Sequence, residues 1–237
     1  MIFVHELHEV RGAEEDAFED AVRERWMPAL ARDGDARLLY FTKHAHGSGA
    51  SYRVVTVTAL RDAAAWGRLV ERVDAGDLRE TACALDALRH DVHAKLLIPL
   101  PWSPLQSVEL ETVPAETPAP HELSLFMEDT VWPHEDQLEP YVARSGDHYL
   151  AEMQRNAERE GTLLTILAGF RAAFGGGRRR EIVLWQKITD LRGLRPLLSS
   201  EVPERYKQPG TWMHDALGLR DRWESRLLRT VSWSPWY

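Results

Sequence analysis

Glu6, His8 and His44 are the side chains of this 237-residue chain whose types and placement could carry a reaction. A carboxylate and two imidazoles within reach of one another can act as general acid and base near neutral pH. Tyr40 or Tyr52 would then donate a hydrogen bond to a substrate oxygen. Thr42, His46, Thr56 and Trp185 complete the candidate ligand-binding wall. The plainer account is that histidines in sheets serve as hydrogen-bonded core members, and that His44 and His46 sit on an exposed hairpin.

Other chemistries are less well served. His44-x-His46 could set two imidazoles on one side of a strand with His8 as a third ligand, but that spacing recurs by chance and no metal is expected. Haem ligation by His44 or His8 is the one cofactor option, without a diagnostic motif; otherwise no cofactor is expected. Cys83 is the single cysteine, so neither an intrachain disulfide nor a cysteine zinc cluster can form. The chain has no glycine-rich phosphate loop after a strand, no Gly-x-Ser-x-Gly elbow and no His-Glu-x-x-His pair.

The candidate residues converge only if particular strands carry them. Residues 3–10 alternate and predict a strand, Arg11-Gly12 breaks it, and Phe18, Val22 and Trp26 make an apolar helical stripe ending at Asp33-Gly34. Strands follow at 37–43 and 52–59, around a turn at residues 44–49. A helical region over 62–91, split near Gly76-Asp77, leads to a last strand at 95–100. His90 and His93 would end that helical region and interact with its terminus.

The same order recurs in the second half, with a strand at 123–127, a helix over 136–160, strands at 163–171 and 181–188, helices from Leu191 and a strand at 227–232. Matching tripeptides and dipeptides mark it: His5-Glu6-Leu7 with His121-Glu122-Leu123, Asp86-Ala87-Leu88 with Asp215-Ala216-Leu217, Leu96-Leu97 with Leu227-Leu228, and Trp102-Ser103-Pro104 with Trp233-Ser234-Pro235. Glu122 then takes the place of Glu6, and Ser124 that of His8. The two Trp-Ser-Pro motifs are expected to pin each end onto its own sheet, while Trp212 and Trp223 fall in a helical region.

The fold class is therefore α+β, a tandem duplication of a ferredoxin-like β-α-β-β-α-β unit, with two antiparallel sheets closing an α/β barrel in one chain. The expected divisions are 1–112 for the first repeat, 113–120 for a proline-rich linker and 121–237 for the second repeat. Strand alternation puts Glu6, His8, Tyr40, Thr42, His44, Tyr52 and Thr56 on the cavity side between the sheets, with Leu39, Phe41, Val55 and Val57 against the helices. The second half has fewer such groups, which predicts one working site.

A formal charge of −8, with 37 acidic against 29 basic side chains, excludes generic binding to nucleic acid or anionic membrane. Arg178-Arg179-Arg180 after Gly175-Gly176-Gly177 predicts a solvated hairpin tip. The opening residues contain no basic leader and no apolar span, so a cytoplasmic location is expected.

The opening His5-Glu6-Leu7-His8-Glu9-Val10, the following glycine, and Phe18 and Trp26 resemble the NIPSNAP family of the dimeric α/β-barrel superfamily, here in fused two-repeat form. The resemblance implies a superfamily of haem enzymes, cofactor-free monooxygenases and cyclases, and members without established chemistry. The expected function is binding of a small, largely apolar, aromatic molecule between the two sheets, with cofactor-independent proton transfer or oxygenation. The alternatives are a haem-dependent enzyme and a non-catalytic interaction module, and a homodimer is the expected assembly.

Overall fold

The computed structural model describes residues 1–160, 163–176 and 180–237, with the backbone alone for 156–160. The glycine–arginine tip expected near residues 175–180 lies partly outside them. Eight strands form one closed barrel in the order β1-β3-β2-β8-β5-β7-β6-β4, with every neighbour antiparallel. They are β1 (Ile2–Val10), β2 (Ala36–His44), β3 (Arg53–Leu60), β4 (Arg89–Pro99), β5 (Leu125–Trp132), β6 (Leu164–Phe174), β7 (Ile182–Ile188) and β8 (Arg222–Thr230). Each half contributes four consecutive staves, and the halves join at the β2–β8 and β4–β6 seams. The described residues contain no helix long and apolar enough to cross a membrane.

The helices coat the outside of the barrel. In the first half α1 (Glu15–Ala21), a π-helical turn (Val22–Trp26) and α2 (Met27–Leu30) run on as one helix, which ends where Gly34 adopts the left-handed φ of 77°. α3 (Ala63–Asp74) and α4 (Arg79–Leu88) follow β3. The second half has α5 (Leu138–Arg144), a π turn (Ser145–Leu150), α6 (Ala151–Glu160), α7 (Leu191–Ser199) and the short α8 (Trp212–Asp215). Asp62 caps α3 and Asp190 caps α7, each accepting from a backbone N–H of the first turn. The element order of the two halves therefore matches down to a capping residue and a π turn.

Both faces of every sheet are covered, by helices outside and by the opposite strands inside. Phe3, Val55, Val57, Phe126, Phe170 and Trp185 fill the interior, and Val4, Phe18, Leu38, Phe41, Val54 and Leu60 pack against the first helices. Val113, at the head of the expected linker, joins Val108 and Leu110 in the barrel core, so this connection plugs one end of the barrel.

Several elements depart from expectation. β4 begins at Arg89, which places the exposed His90 and His93 on a strand, and β8 begins at Arg222, which makes Trp223 a strand residue. Those strand ends carry charged side chains on both faces, so no two-residue alternation marks them. β5 begins after His121-Glu122-Leu123. The Trp-Ser-Pro motifs, expected to pin each end onto its own sheet, bind the other half instead. Ser234 accepts from Phe41 N and Trp233 Nε1 donates to Glu19, while Ser103 accepts from Gly169 N and Trp102 Nε1 donates to Val142 O.

The Trp102 indole lies so close to β6 that a Cβ at Gly169 would meet it at 2.7 Å. Gly169→Ala is expected to destabilise the protein by about 1–3 kcal/mol through overpacking, read as a lower urea midpoint with an unchanged slope.

Candidate functional site

β1 presents Val4, Glu6 and His8 to the helix layer and Phe3, His5 and Leu7 to the barrel interior. Glu6, His8 and Thr56 consequently line a cavity of about 210 Å³ between the first sheet and its helices, and not the space between the sheets. The expected parity is inverted on β1 and β3. With both faces covered, polar and apolar alternation no longer tells inside from outside.

The polar groups at the cavity floor form one hydrogen-bonded chain. Arg89 Nη1 donates to His8 Nδ1 at 2.7 Å, which leaves the His8 proton on Nε2. That Nε2–H donates to Thr56 Oγ1 at 3.1 Å, and the Thr56 hydroxyl in turn reaches Glu6 Oε2 at 3.4 Å. Asp86 holds Arg89 through both Nε and Nη2. Burial, reinforced by the Arg89 charge, lowers His8 well below 6.5 and keeps it neutral. Burial likewise raises the Glu6 carboxyl above 4.5, although Arg89 and the Thr56 hydrogen bond oppose it.

Replacing Arg89 by Met removes a cation from His8 and is expected to raise the imidazole pKa toward 6.5. An NMR titration of the His8 ring should show this together with loss of the single Nε2–H tautomer.

Trp26, Val22, Trp66, Leu69 and Leu85 supply the apolar walls. Val22 and Trp26 belong to the π turn, whose extra residue re-aims side chains that a regular helix would direct elsewhere. A concave apolar pocket with a few convergent polar groups is the usual form of a small-molecule site.

The remaining candidates lie elsewhere. A bulge near Leu39 shifts the phase of β2, so Tyr40 points into the barrel beside Trp185 and Phe126. Thr42 and His44 follow Tyr40 inward, with Thr42 Oγ1 donating to Val55 O. Burial and Arg226 lower His44 to about 4. Neither ring nitrogen of His44 has a hydrogen-bond partner among the described residues. His46 is exposed in the hairpin. Tyr52 is 49% exposed, has φ 58° and packs its ring over Gly12, so it belongs to the turn and not to β3.

Two functional groups were not apparent from the sequence. Arg89 was, in principle, marked by its position directly after Asp86-Ala87-Leu88. The second group is a buried ion pair inside the barrel, where His5 Nε2 donates to Glu128 Oε2 at 2.6 Å and Arg226 reaches Glu128 Oε1 at 3.3 Å. Burial alone would raise Glu128, but His5, Arg226 and Lys95 bring it down to about 2. Among the described residues no group of three His, Cys, Asp or Glu converges to hold a metal.

Strand register identifies the counterpart of each group in the second half. Glu6 pairs with Thr56 and Ala94; Asp129 pairs with Leu184 and Ser225, which hold the same places relative to Asp190 and to Leu227-Leu228. Asp129, not Glu122, is therefore the equivalent of Glu6, and Val131, not Ser124, that of His8. Asp129 accepts from Gln186 Nε2 and from the Ser225 hydroxyl, while Tyr149 OH donates to Gln186 Oε1. Tyr149, at the π-turn place of Trp26, is thus tied down by a hydrogen bond.

No protein-family model and no curated protein matches the sequence. Solved structures do match its fold. A candidate monooxygenase from Lactobacillus acidophilus superposes over 98% of this chain and 96% of its own with TM-score 0.56 and 7% identity. An anthrone oxidase-like protein covers 97% of this chain and 91% of its own at TM-score 0.57 and 8% identity. A candidate chlorite dismutase covers 98% and 96% at TM-score 0.53 and 12% identity. A NIPSNAP family protein from Agrobacterium tumefaciens spans 44% of this chain and 98% of its own at TM-score 0.38 and 18% identity. The chain has the dimeric α/β-barrel architecture in its fused form, with both sheets in one polypeptide.

Proposed function

We propose that this protein binds a small, largely apolar aromatic molecule between its first sheet and the covering helices, and that Glu6 abstracts a proton from it without a cofactor. The observation that carries this reading is the Arg89–His8–Thr56–Glu6 chain ending on a raised carboxyl inside an apolar cavity. A carboxylate short of solvation is a stronger base than one in water, and the neutral His8 holds Thr56 in place to donate to it. The carbanion or enolate so formed could react with O₂, and the names of the monooxygenase and anthrone oxidase-like neighbours lend support to that second step.

Haem fits this cavity poorly. Both nitrogens of His8 are engaged, leaving none for iron, and about 210 Å³ is below the roughly 300–1,000 Å³ of pockets for drug-sized ligands.

Anthrone and the smaller ketone 2-tetralone are suitable probes, since each has an acidic C–H beside an aromatic ring. With anthrone, proton abstraction followed by O₂ gives anthraquinone and one water, so oxygen uptake and quinone absorbance should rise together in enzyme stripped of metal. Failure of both probes to bind or to exchange their acidic proton would defeat the proposal, and a Soret shift on titration with haem would favour the haem alternative.

A further inference from the structure

Arg89 and Arg220 occupy equivalent places, each the same distance before its Leu-Leu dipeptide on β4 or β8. Their surroundings differ in one decisive respect. Asp86-Ala87-Leu88 runs directly into Arg89, and Asp86 pairs with that guanidinium. After Asp215-Ala216-Leu217, two further residues, Gly218 and Leu219, intervene before Arg220. The inserted turn, held by Leu219 N and Arg220 N donating to Ala216 O, separates the acid from the base. Asp215 instead accepts from His214 Nδ1 and Gly210 N.

Arg220 is left 8% exposed with no carboxylate among the described residues at ion-pair distance. Its Nε–H is buried with no acceptor among the described residues. Asp129 lies on the same side of the sheet, but its two oxygens are occupied by Gln186 and Ser225. The Trp223 ring lies over the guanidinium at 4.2 Å, and the Tyr141 hydroxyl is beside it. A stacked indole covers a guanidinium face and leaves the N–H edge for a planar partner. The Arg220 and Asp129 charges act on each other without contact, and a buried guanidinium with no carboxylate against it is costly unless something else supplies that partner.

We propose that Arg220 anchors the carboxylate of a small aromatic or apolar molecule on the helix side of the second half, distinct from the Glu6 cavity. A monoanion is favoured over phosphate because the Asp129 carboxyl is close to the guanidinium and would repel a more highly charged anion more strongly. A carboxylate also matches the fork of N–H donors edge-on. Trp212, Tyr141 and Trp223 would receive the apolar body. Burial raises the Asp129 carboxyl above its usual 3.8, against the opposing hydrogen bonds of Ser225 and Gln186 and the Arg220 charge.

The test uses the full chain with benzoate as the probe and inorganic phosphate as the comparison. In protein labelled with ¹⁵N-arginine, the Arg220 Nε–H resonance, assigned by its loss in Arg220→Lys, should move saturably with benzoate and stay unmoved by phosphate. Benzoate should also raise Tm by mass action. Arg220→Met should weaken benzoate binding by about tenfold or more, the scale of a lost charged hydrogen bond. An Arg220 resonance indifferent to benzoate in the wild-type protein overturns the proposal, whether or not the variants fold. So does a response to phosphate in place of benzoate, or equal affinity in Arg220→Met.

Discussion

Glu6→Gln is expected to lower turnover of an anthrone-type probe by about 10²–10⁴-fold, the span that a positioned general base contributes, with little change in probe affinity. Gln fills the same volume and can still hydrogen-bond to Thr56, so the cavity keeps its shape and loses only its base. The pH profile should move in the corresponding direction. Activity rises as Glu6 ionises, above the 4.5 of an ordinary glutamate because burial raises it, and His8 stays neutral across that range because burial and Arg89 lower it. Turnover by Glu6→Gln close to the wild-type rate would mean that the proton leaves by another route.

Glu128→Ala is expected to destabilise the fold by about 3–5 kcal/mol, the usual loss when one partner of a buried pair is removed. His5 would lose its hydrogen-bond acceptor inside the barrel, and Arg226 would lose one of its two carboxylate partners and keep Glu224. Replacing His5 and Glu128 together by apolar residues should restore much of that loss, and a double-mutant cycle in urea measures the coupling. The pH dependence follows from the direction of the shifts. Glu128 falls from 4.5 to about 2 on folding, so its contribution is complete above 4.5 and disappears as pH drops toward 2. His44 falls from 6.5 to about 4, so its contribution is complete above 6.5 and is lost between 6.5 and 4. Urea midpoints taken at pH 7, 5 and 3 should fall throughout in the wild type, with His8 adding to the loss in the same direction, and Glu128→Ala should show a smaller fall between pH 5 and 3.

The order of strands and helices was legible because strand alternation, the apolar helical stripe and the Leu-Leu and Trp-Ser-Pro repeats are local signals. The structure also brings Glu6, His8 and Thr56 together, since residues of like parity on paired strands stay together whichever way they face. Their direction was not legible. In a closed barrel under a helix layer both faces are packed, so the polar parity can mark a cavity outside the barrel as readily as one inside it. The bulge at Leu39 then split Tyr40, Thr42 and His44 from that group, and a one-residue phase shift leaves no trace in composition. The tripeptide likeness of His5-Glu6-Leu7 to His121-Glu122-Leu123 misled for a related reason, because strand register is settled by pairing partners far along the chain. The crossing of Trp102 and Trp233 to opposite halves is likewise a long-range choice.

His5 and Glu128 hold the same position in β1 and β5, yet they touch. Residues related in this way meet only at the pseudo-symmetry axis, where two copies of one polypeptide would have to set like against like. Two glutamates there would repel and two histidines would lack an anion, so neither half is suited to closing a barrel with its own twin. An acid facing a base at that point makes the halves complementary and no longer interchangeable, and ties the closed barrel to their being different.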